Sequence, residues 1–269
     1  MEISNPARPL TATAIDHANL FRLDGKSYVV LGAGSGLGEH VSRTIAGLGG
    51  RVLGVDINPE PLRSLAEELG MPFLVADATC EDGAAAVAEA VVAEFGKING
   101  YVDVIGQMHR NEISGYSLEA WERDFKTNLG HAFLAARALA PLVANGSIAY
   151  VSSTVAARGG LLAPGYGPAK AALEIWVKQM AAEHGPRGVR VNAVAPGMFL
   201  SPRVAAKERT SRDEQVLSSR SVLGRLGQPF EIAAALVFLL SPAAGYITGT
   251  TIPVEGGALS RDSTGLDEL

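Results

Sequence analysis

Two patterns of apolar positions alternate along the chain. One is a short continuous apolar run. The other is a longer stretch in which apolar residues recur every three to four positions. Runs of the first kind suit strands covered on both faces, and stretches of the second suit amphipathic helices. The pattern predicts strands at residues 26–31, 51–55, 73–75, 101–105, 146–152, 189–195 and 251–254. It predicts helices at 39–46, 61–69, 81–95, 165–184 and 229–240, and one or two more within 117–142 behind Ser117 as N-cap. Such alternation specifies an α/β fold, a single-domain, doubly wound parallel sheet of Rossmann-like type. It has about seven strands, with helices on both faces. Ligands of these sheets bind beyond the carboxyl ends of the strands, where the strand order reverses. Gly32, Asp56, Asp77, Gly106, Ser153 and Pro196 each follow a predicted strand, so all are expected to border one crevice.

Size and composition narrow the reading. The 269 residues form one domain over 23–258, with a lid at about 198–221. Residues 1–22 read as an irregular arm and 259–269 as a tail. The net charge of −5, without a basic stripe, argues against a nucleic-acid partner. Cys80 is the single cysteine, so no internal disulfide can form, and the five histidines lack metal-ligand spacing. No metal is expected. Neither an 18-residue apolar run nor a signal peptide is present, and the expected location is the cytoplasm.

The first strand leads into Gly32-Ala33-Gly34-Ser35-Gly36-Leu37-Gly38 and then into a helix. That context suits a dinucleotide: glycines admit the pyrophosphate to the backbone, and the helix N-terminus presents free N–H groups. Asp56 ends the second strand 18 residues after Gly38, where an acid accepts from the ribose hydroxyls and repels a 2′-phosphate. With no basic group at Ser35 or Ile57, the expected cofactor is NAD rather than NADP. A cap for the turn with Asn58 and Pro59 is the other role open to Asp56. Asp77 suits either an adenine amino group or the cap of the next helix.

Tyr166 and Lys170 stand four residues apart and share a helix face. A free tyrosine ionises near pH ~10. A lysine ammonium one turn away favours the phenolate, and lowering the pKa by about three units needs roughly 4 kcal/mol. An isolated Tyr-x-x-x-Lys is ordinarily just a helix surface. Here it follows a serine pair that ends a strand, downstream of a nucleotide loop.

Together these residues resemble the short-chain dehydrogenase/reductase family over residues 24–257. The family's T-G-x-x-x-G-x-G loop appears as Leu31-Gly32-Ala33-Gly34-Ser35-Gly36-Leu37-Gly38, with Leu31 for threonine. Its serine 13 residues before the tyrosine selects Ser153 over Ser152. Its helix asparagine matches Asn128, its Pro-Gly matches Pro196-Gly197, and its late Gly-Arg-Leu-Gly-x-Pro-x-Glu-Ile-Ala run is intact from Gly224 to Ala233. The resemblance implies Asn128, Ser153, Tyr166 and Lys170 as catalytic residues. It implies Gly32, Gly34, Ser35, Gly36, Leu37, Asp56, Asp77, Ala78, Gly106, Tyr166, Lys170, Pro196, Gly197 and Ser201 as cofactor-binding residues. Two departures stand out. Asp103-Val104-Ile105-Gly106 replaces Asn-Asn-Ala-Gly, which keeps the glycine and loses the bracing asparagines. Ser201 replaces a threonine and keeps its hydroxyl.

The implied reaction interconverts a secondary alcohol and a ketone. Tyr166 is the general base, Ser153 holds the reacting oxygen, Lys170 keeps Tyr166 ionised and binds ribose, and Asn128 positions a relay water. The apolar segment 154–163, broken only by Arg158, favours an alicyclic or steroid-like substrate. Residues 107–113 and the lid complete the expected pocket. His109 and Arg110 stand at its mouth, where ordinary surface placement is the simpler reading, as it is for the charged residues of the lid. A 3-oxoacyl thioester reductase and a non-catalytic dinucleotide-binding protein are the alternatives. The resemblance also implies a homotetramer.

Overall fold

A computed structural model describes residues 16–160, 162–205 and 210–260. Most of the expected arm, Leu161, Lys207, Glu208 and Arg209 of the lid, and nearly all of the tail lie outside the described residues. Seven strands form one wholly parallel sheet in the order β3-β2-β1-β4-β5-β6-β7. They are β1 Ser27–Leu31, β2 Arg51–Asp56, β3 Phe73–Val75, β4 Ile98–Asp103, β5 Val143–Val151, β6 Arg190–Pro196 and β7 Thr251–Val254. The order reverses between β1 and β4, so the carboxyl ends of these two strands border the crevice.

Helices cover both faces. They are α1 Leu37–Gly47, α2 Pro59–Leu69, α3 Glu81–Phe95, α4 Leu118–Phe125, α5 His131–Leu139, α6 Thr154–Arg158, α7 Tyr166–His184, α8 Pro202–Ala205, α9 Ser211–Ser218 and α10 Pro229–Leu240. Strand side chains alternate between two cores. Val29, Leu31, Tyr101, Ile148 and Tyr150 pack under α3, α5 and α7. Tyr28, Val30, Val102, Ala149 and Val194 pack under α1, α2 and α10. Proline at the first turn starts α2 and α10, where its missing N–H costs nothing. At α10 the Glu231 carboxylate also accepts from Gln228 N at 2.7 Å, closing a capping box.

Two strands differ from the sequence expectation. β4 starts at Ile98 and stops at Asp103, whereas the pattern predicted 101–105. Its start is hidden by Asn99-Gly100, which reads as a turn. Its end is set by Asp103, whose Oδ1 accepts from Ile105 N at 3.0 Å and folds the chain out of the sheet. β5 starts three residues early, at Val143, because Asn145-Gly146 also reads as a turn. Asn145 holds φ 46° there, beside an irregular register with β4 between Ile98 and Gly100.

Candidate active site

The glycine loop joins β1 to α1 and is closed by the neighbouring strand. Gly32 N and Ala33 N both donate to Val55 O, at 2.8 and 2.9 Å. Gly36 has φ 58°, and a Cβ on Gly38 would collide with the Gly32 carbonyl, so glycine is required at both. α1 has no side-chain cap at Gly36, which leaves its first N–H groups to an anion. Asp56 reaches back into this loop: its Oδ2 accepts from Gly34 N at 2.8 Å and its Oδ1 from Asn58 N at 2.9 Å. The carboxylate therefore braces the turn at the mouth of the glycine loop. Asp77 accepts from Thr79 N and Oγ1 through one oxygen, closing a turn ahead of α3 rather than capping the helix. The Thr79 hydroxyl, and then its N–H, hold that carboxyl below its usual range. Ala78 is buried behind it, Ser35 is exposed, and Leu37 is buried.

Asn128 does not sit in a regular helix. Lys126–Gly130 is a π-helical turn between α4 and α5, a local widening that often marks functional positions. The Asn128 side chain is buried, with Nδ2 donating to Gln107 O at 2.8 Å and to Asp124 O at 2.9 Å. Its Oδ1 accepts from Gln107 N at 2.9 Å. Asn128 thus clamps the loop after β4 to the helix. A Cβ on Gly106 would stand 3.1 Å from both Asn128 Oδ1 and Lys170 Nζ, so glycine lets the chain pass between them without displacing either.

Ser152 and Ser153 end β5 and diverge. Ser152 Oγ donates to Glu174 Oε1 at 2.7 Å, inside the protein. Ser153 Oγ caps α6 by accepting from Val155 N at 3.3 Å, beside the crevice. Tyr166 opens α7, and Lys170 follows one turn later with its Nζ 5.9 Å from the Tyr166 ring centre. Lys170 is almost wholly buried and donates to Val151 O at 2.8 Å. Burial pulls its ammonium down to about 8, opposed by the Asp103 carboxylate. β6 ends at Pro196, and Gly197 N continues the pairing to Val254 O at 3.0 Å. Ser201 then caps α8, its Oγ accepting from Val204 N at 3.3 Å. The following Pro202 packs against Gly36, which brings the lid's first turn onto the glycine loop.

Two buried carboxylates near the site carry partners that sequence reasoning missed. Asp103 accepts from His131 Nδ1 at 2.7 Å with both side chains buried. Asp124 is wholly buried and takes His109 Nδ1 at 2.7 Å and the Tyr116 hydroxyl at 2.6 Å. Burial first, and then Asp124, push the Tyr116 phenol up to about 12. His109 stays partly exposed, as surface placement implies, and is also tethered to this buried carboxylate. The same cluster abuts the start of α7, because a Cβ on Gly165 would stand 2.8 Å from Asp124 Cβ. Asn111 N also donates to Leu162 O at 3.1 Å, tying this loop to the segment before Tyr166. Asp124, Asn128 and His131 recur at helical spacing, and that polar stripe on an otherwise apolar face was the available signal. Arg158 turns away and donates to Ala258 O at 3.3 Å.

The glycine loop, the open N-terminus of α1, Asp56 and the close passage at Gly106 fit a dinucleotide. Among the described residues no group of His, Cys, Asp and Glu is placed to hold a metal ion. No helix among them is long and apolar enough to cross a membrane.

The family model described as enoyl-(acyl carrier protein) reductase matches residues 32–258. Galactitol 2-dehydrogenase (L-tagatose-forming) of Cereibacter sphaeroides is 36% identical over 256 residues, covering 90% of this chain and 98% of its own. A short-chain type dehydrogenase/reductase from Mycobacterium ulcerans superposes with TM-score 0.85 at 28% identity, covering 92% of this chain and 96% of its own. The Pseudomonas aeruginosa RhlG/NADP active-site complex superposes with TM-score 0.84 at 26% identity, covering 89% and 98%. These matches, the parallel sheet and the residues gathered at its carboxyl edge lead to one conclusion: the chain belongs to the short-chain dehydrogenase/reductase family of oxidoreductases.

Proposed function

We propose that this protein is an NAD(H)-dependent oxidoreductase that interconverts a secondary alcohol and a ketone. The observation that carries the reading is the set at the strand ends: Tyr166 with Lys170 one turn behind it, and Ser153 on the adjoining strand end. Bound NAD would accept hydride from the alcohol carbon. Tyr166 takes the hydroxyl proton as general base and returns it in the opposite direction. Ser153 hydrogen-bonds the reacting oxygen and holds it within reach of Tyr166. Lys170, buried and donating to Val151 O, favours the Tyr166 phenolate by its charge. Asn128 Oδ1 accepts one hydrogen bond from Gln107 N. A carbonyl oxygen has a second acceptor site, and there Asn128 would hold a water that relays protons to Lys170.

Asp56 supports NAD over NADP, because a carboxylate held at Gly34 opposes a 2′-phosphate. Gly32, Gly34, Ser35, Gly36 and Leu37 would cradle the pyrophosphate. Asp77 and Ala78 would border the adenine. Gly106, Pro196, Gly197 and Ser201, with Lys170, would border the nicotinamide and its ribose. The apolar Val155, Leu162 and Ala163 support an alicyclic or steroid-like substrate. The His109–Asp124–Tyr116 cluster favours a second reading, a substrate with a further hydroxyl. A homotetramer packed through α7 is the proposed assembly, and the exposed Ile175 on that helix supports it.

The test is fluorescence titration with NADH and NADPH beside reduction of cyclic ketones, ketosteroids, keto-sugars and 3-oxoacyl thioesters. The expected result is tighter NADH binding and turnover on a cyclic class. Turnover confined to thioesters, or preference for NADPH, would contradict the corresponding part. NADH binding without turnover on any class would favour a non-catalytic binding protein.

A further inference from the structure

Asp103 ends β4 beside the reacting residues. In the β4–β5 register it stands opposite Tyr150, and the next residue, Val151, accepts the Lys170 ammonium at 2.8 Å. The chain leaving Asp103 reaches Gly106, where a Cβ would stand 3.1 Å from Lys170 Nζ. Asp103 Oδ1 accepts from Ile105 N and Oδ2 takes His131 Nδ1, so the carboxylate is fixed by two donors in a dry setting. Among the described residues His131 Nε2 is buried with no hydrogen-bond partner. His131 Nδ1 faces the Asp103 carboxylate at 2.7 Å and, as a donor, orients it.

We propose that Asp103, held by His131, is the buried counter-charge of Lys170 and a positioning residue for the Tyr166–Lys170 couple. Among the described residues the Lys170 ammonium meets no carboxylate within hydrogen-bond distance and donates to the Val151 carbonyl. The surrounding titratable groups are few. Tyr101 on β4 and Tyr150 on β5 share a 2.6 Å hydrogen bond, and burial holds both phenols un-ionised. Tyr166 stands one turn before Lys170, and Glu174 one turn after it, bound to Ser152. His131 faces from α5. Asp103 is the acid that acts on Lys170, opposing the fall that burial imposes. In this chain the acid at the end of β4 thus takes on an electrostatic task beyond bracing the strand.

The inference rests on the catalytic reading of Tyr166 and Lys170, so the decisive readout is independent of turnover. The Cε resonance of Lys170 is followed against pH in protein carrying 13C-lysine, assigned with Lys170→Met. Wild type is expected to titrate near 8. Asp103→Asn is isosteric and removes the charge; its carbonyl oxygen can still accept from Ile105 N, while its amide nitrogen meets His131 Nδ1 as a donor, and it should lower that midpoint by about one pH unit or more. His131→Phe removes the tether and should move the midpoint the same way by a smaller step, and His131→Gln, which keeps a donor, should restore it. In alcohol oxidation the alkaline edge of the kcat profile should retreat to lower pH in parallel. A midpoint unchanged in Asp103→Asn overturns the proposal. If that variant does not fold, equal midpoints in the Phe and Gln variants overturn it. Failure of the wild type on every substrate class would instead sink the oxidoreductase reading and leave the titration as it stands.

Discussion

At the residue scale the proposed chemistry turns on how a buried cation is kept charged. Lys170 has its pKa pulled from the usual 10.5 to about 8, first by burial, with Asp103 opposing. The unfolded chain therefore holds a proton that the fold releases between about pH 8 and 10, so this group's contribution to stability rises with pH there. The whole shift corresponds to about 3 kcal/mol. Above about pH 10 the buried Tyr28, Tyr101 and Tyr150, whose ionisation burial suppresses, act in the opposite sense. Urea unfolding should show Lys170→Met most stabilised relative to wild type below pH 8, with the gap closing toward pH 10. A gap independent of pH would refute the shift. Asp56 gives a second prediction. Its two oxygens serve Gly34 N and Asn58 N, and its charge is the feature expected to select NADH. Asp56→Asn should weaken NADH binding by about 10- to 100-fold, the range of a hydrogen bond to a charged group. NADPH binding should fall less. Parallel titrations check this. The candidate catalytic set is a matter of residue types at fixed spacing, which a sequence displays directly. The partners of Asp103 and Asp124 are not displayed there, because a side-chain pair between a strand and a distant helix leaves no local pattern.

At the element scale the interrupted helix 118–139 organises the site. Ser117 caps its start, with Oγ accepting from Ala120 N at 3.2 Å. The π-helical turn then rotates Asn128 onto the loop after β4. Asn128→Ala would remove the hydrogen bonds that hold Gln107 N and O, at about 0.5–1.5 kcal/mol for each bond, because Gln107 is exposed and water can reach these groups. The expected result is a lower urea midpoint together with a loss in kcat as Gly106 drifts from Lys170. Unchanged stability would show that the clamp is not formed. Periodicity predicted the helices of this region but not the widened turn, since one inserted residue shifts phase without changing composition. The shifted start of β4 has a similar origin: Asn99 and Gly100 are turn formers by propensity and strand residues by tertiary pairing. Asn99 Oδ1 accepts from Ser27 N at 3.0 Å, which holds that irregular start against β1.

At the scale of the whole molecule the sheet separates two cores, and only its carboxyl edge carries the candidate chemistry. Stability and activity should therefore respond separately to changes far from that edge. Leu236 on α10 is wholly buried in the core with α1. Leu236→Ala should cost about 2–5 kcal/mol and leave kcat per folded molecule unchanged. Unfolding curves and active-site titration together test this. The fold was the most legible feature of the sequence, because alternating strand and helix periods admit few arrangements once every strand must be covered on both faces. What periodicity could not supply is which residues meet across the crevice, and the substrate is decided by those meetings. The most direct test of the account is Tyr166→Phe, assayed for turnover and for NADH binding in one preparation. The account predicts turnover abolished with NADH affinity within about twofold of wild type, since the lost hydroxyl serves proton transfer rather than the glycine loop. A variant that keeps a tenth or more of the activity would contradict it.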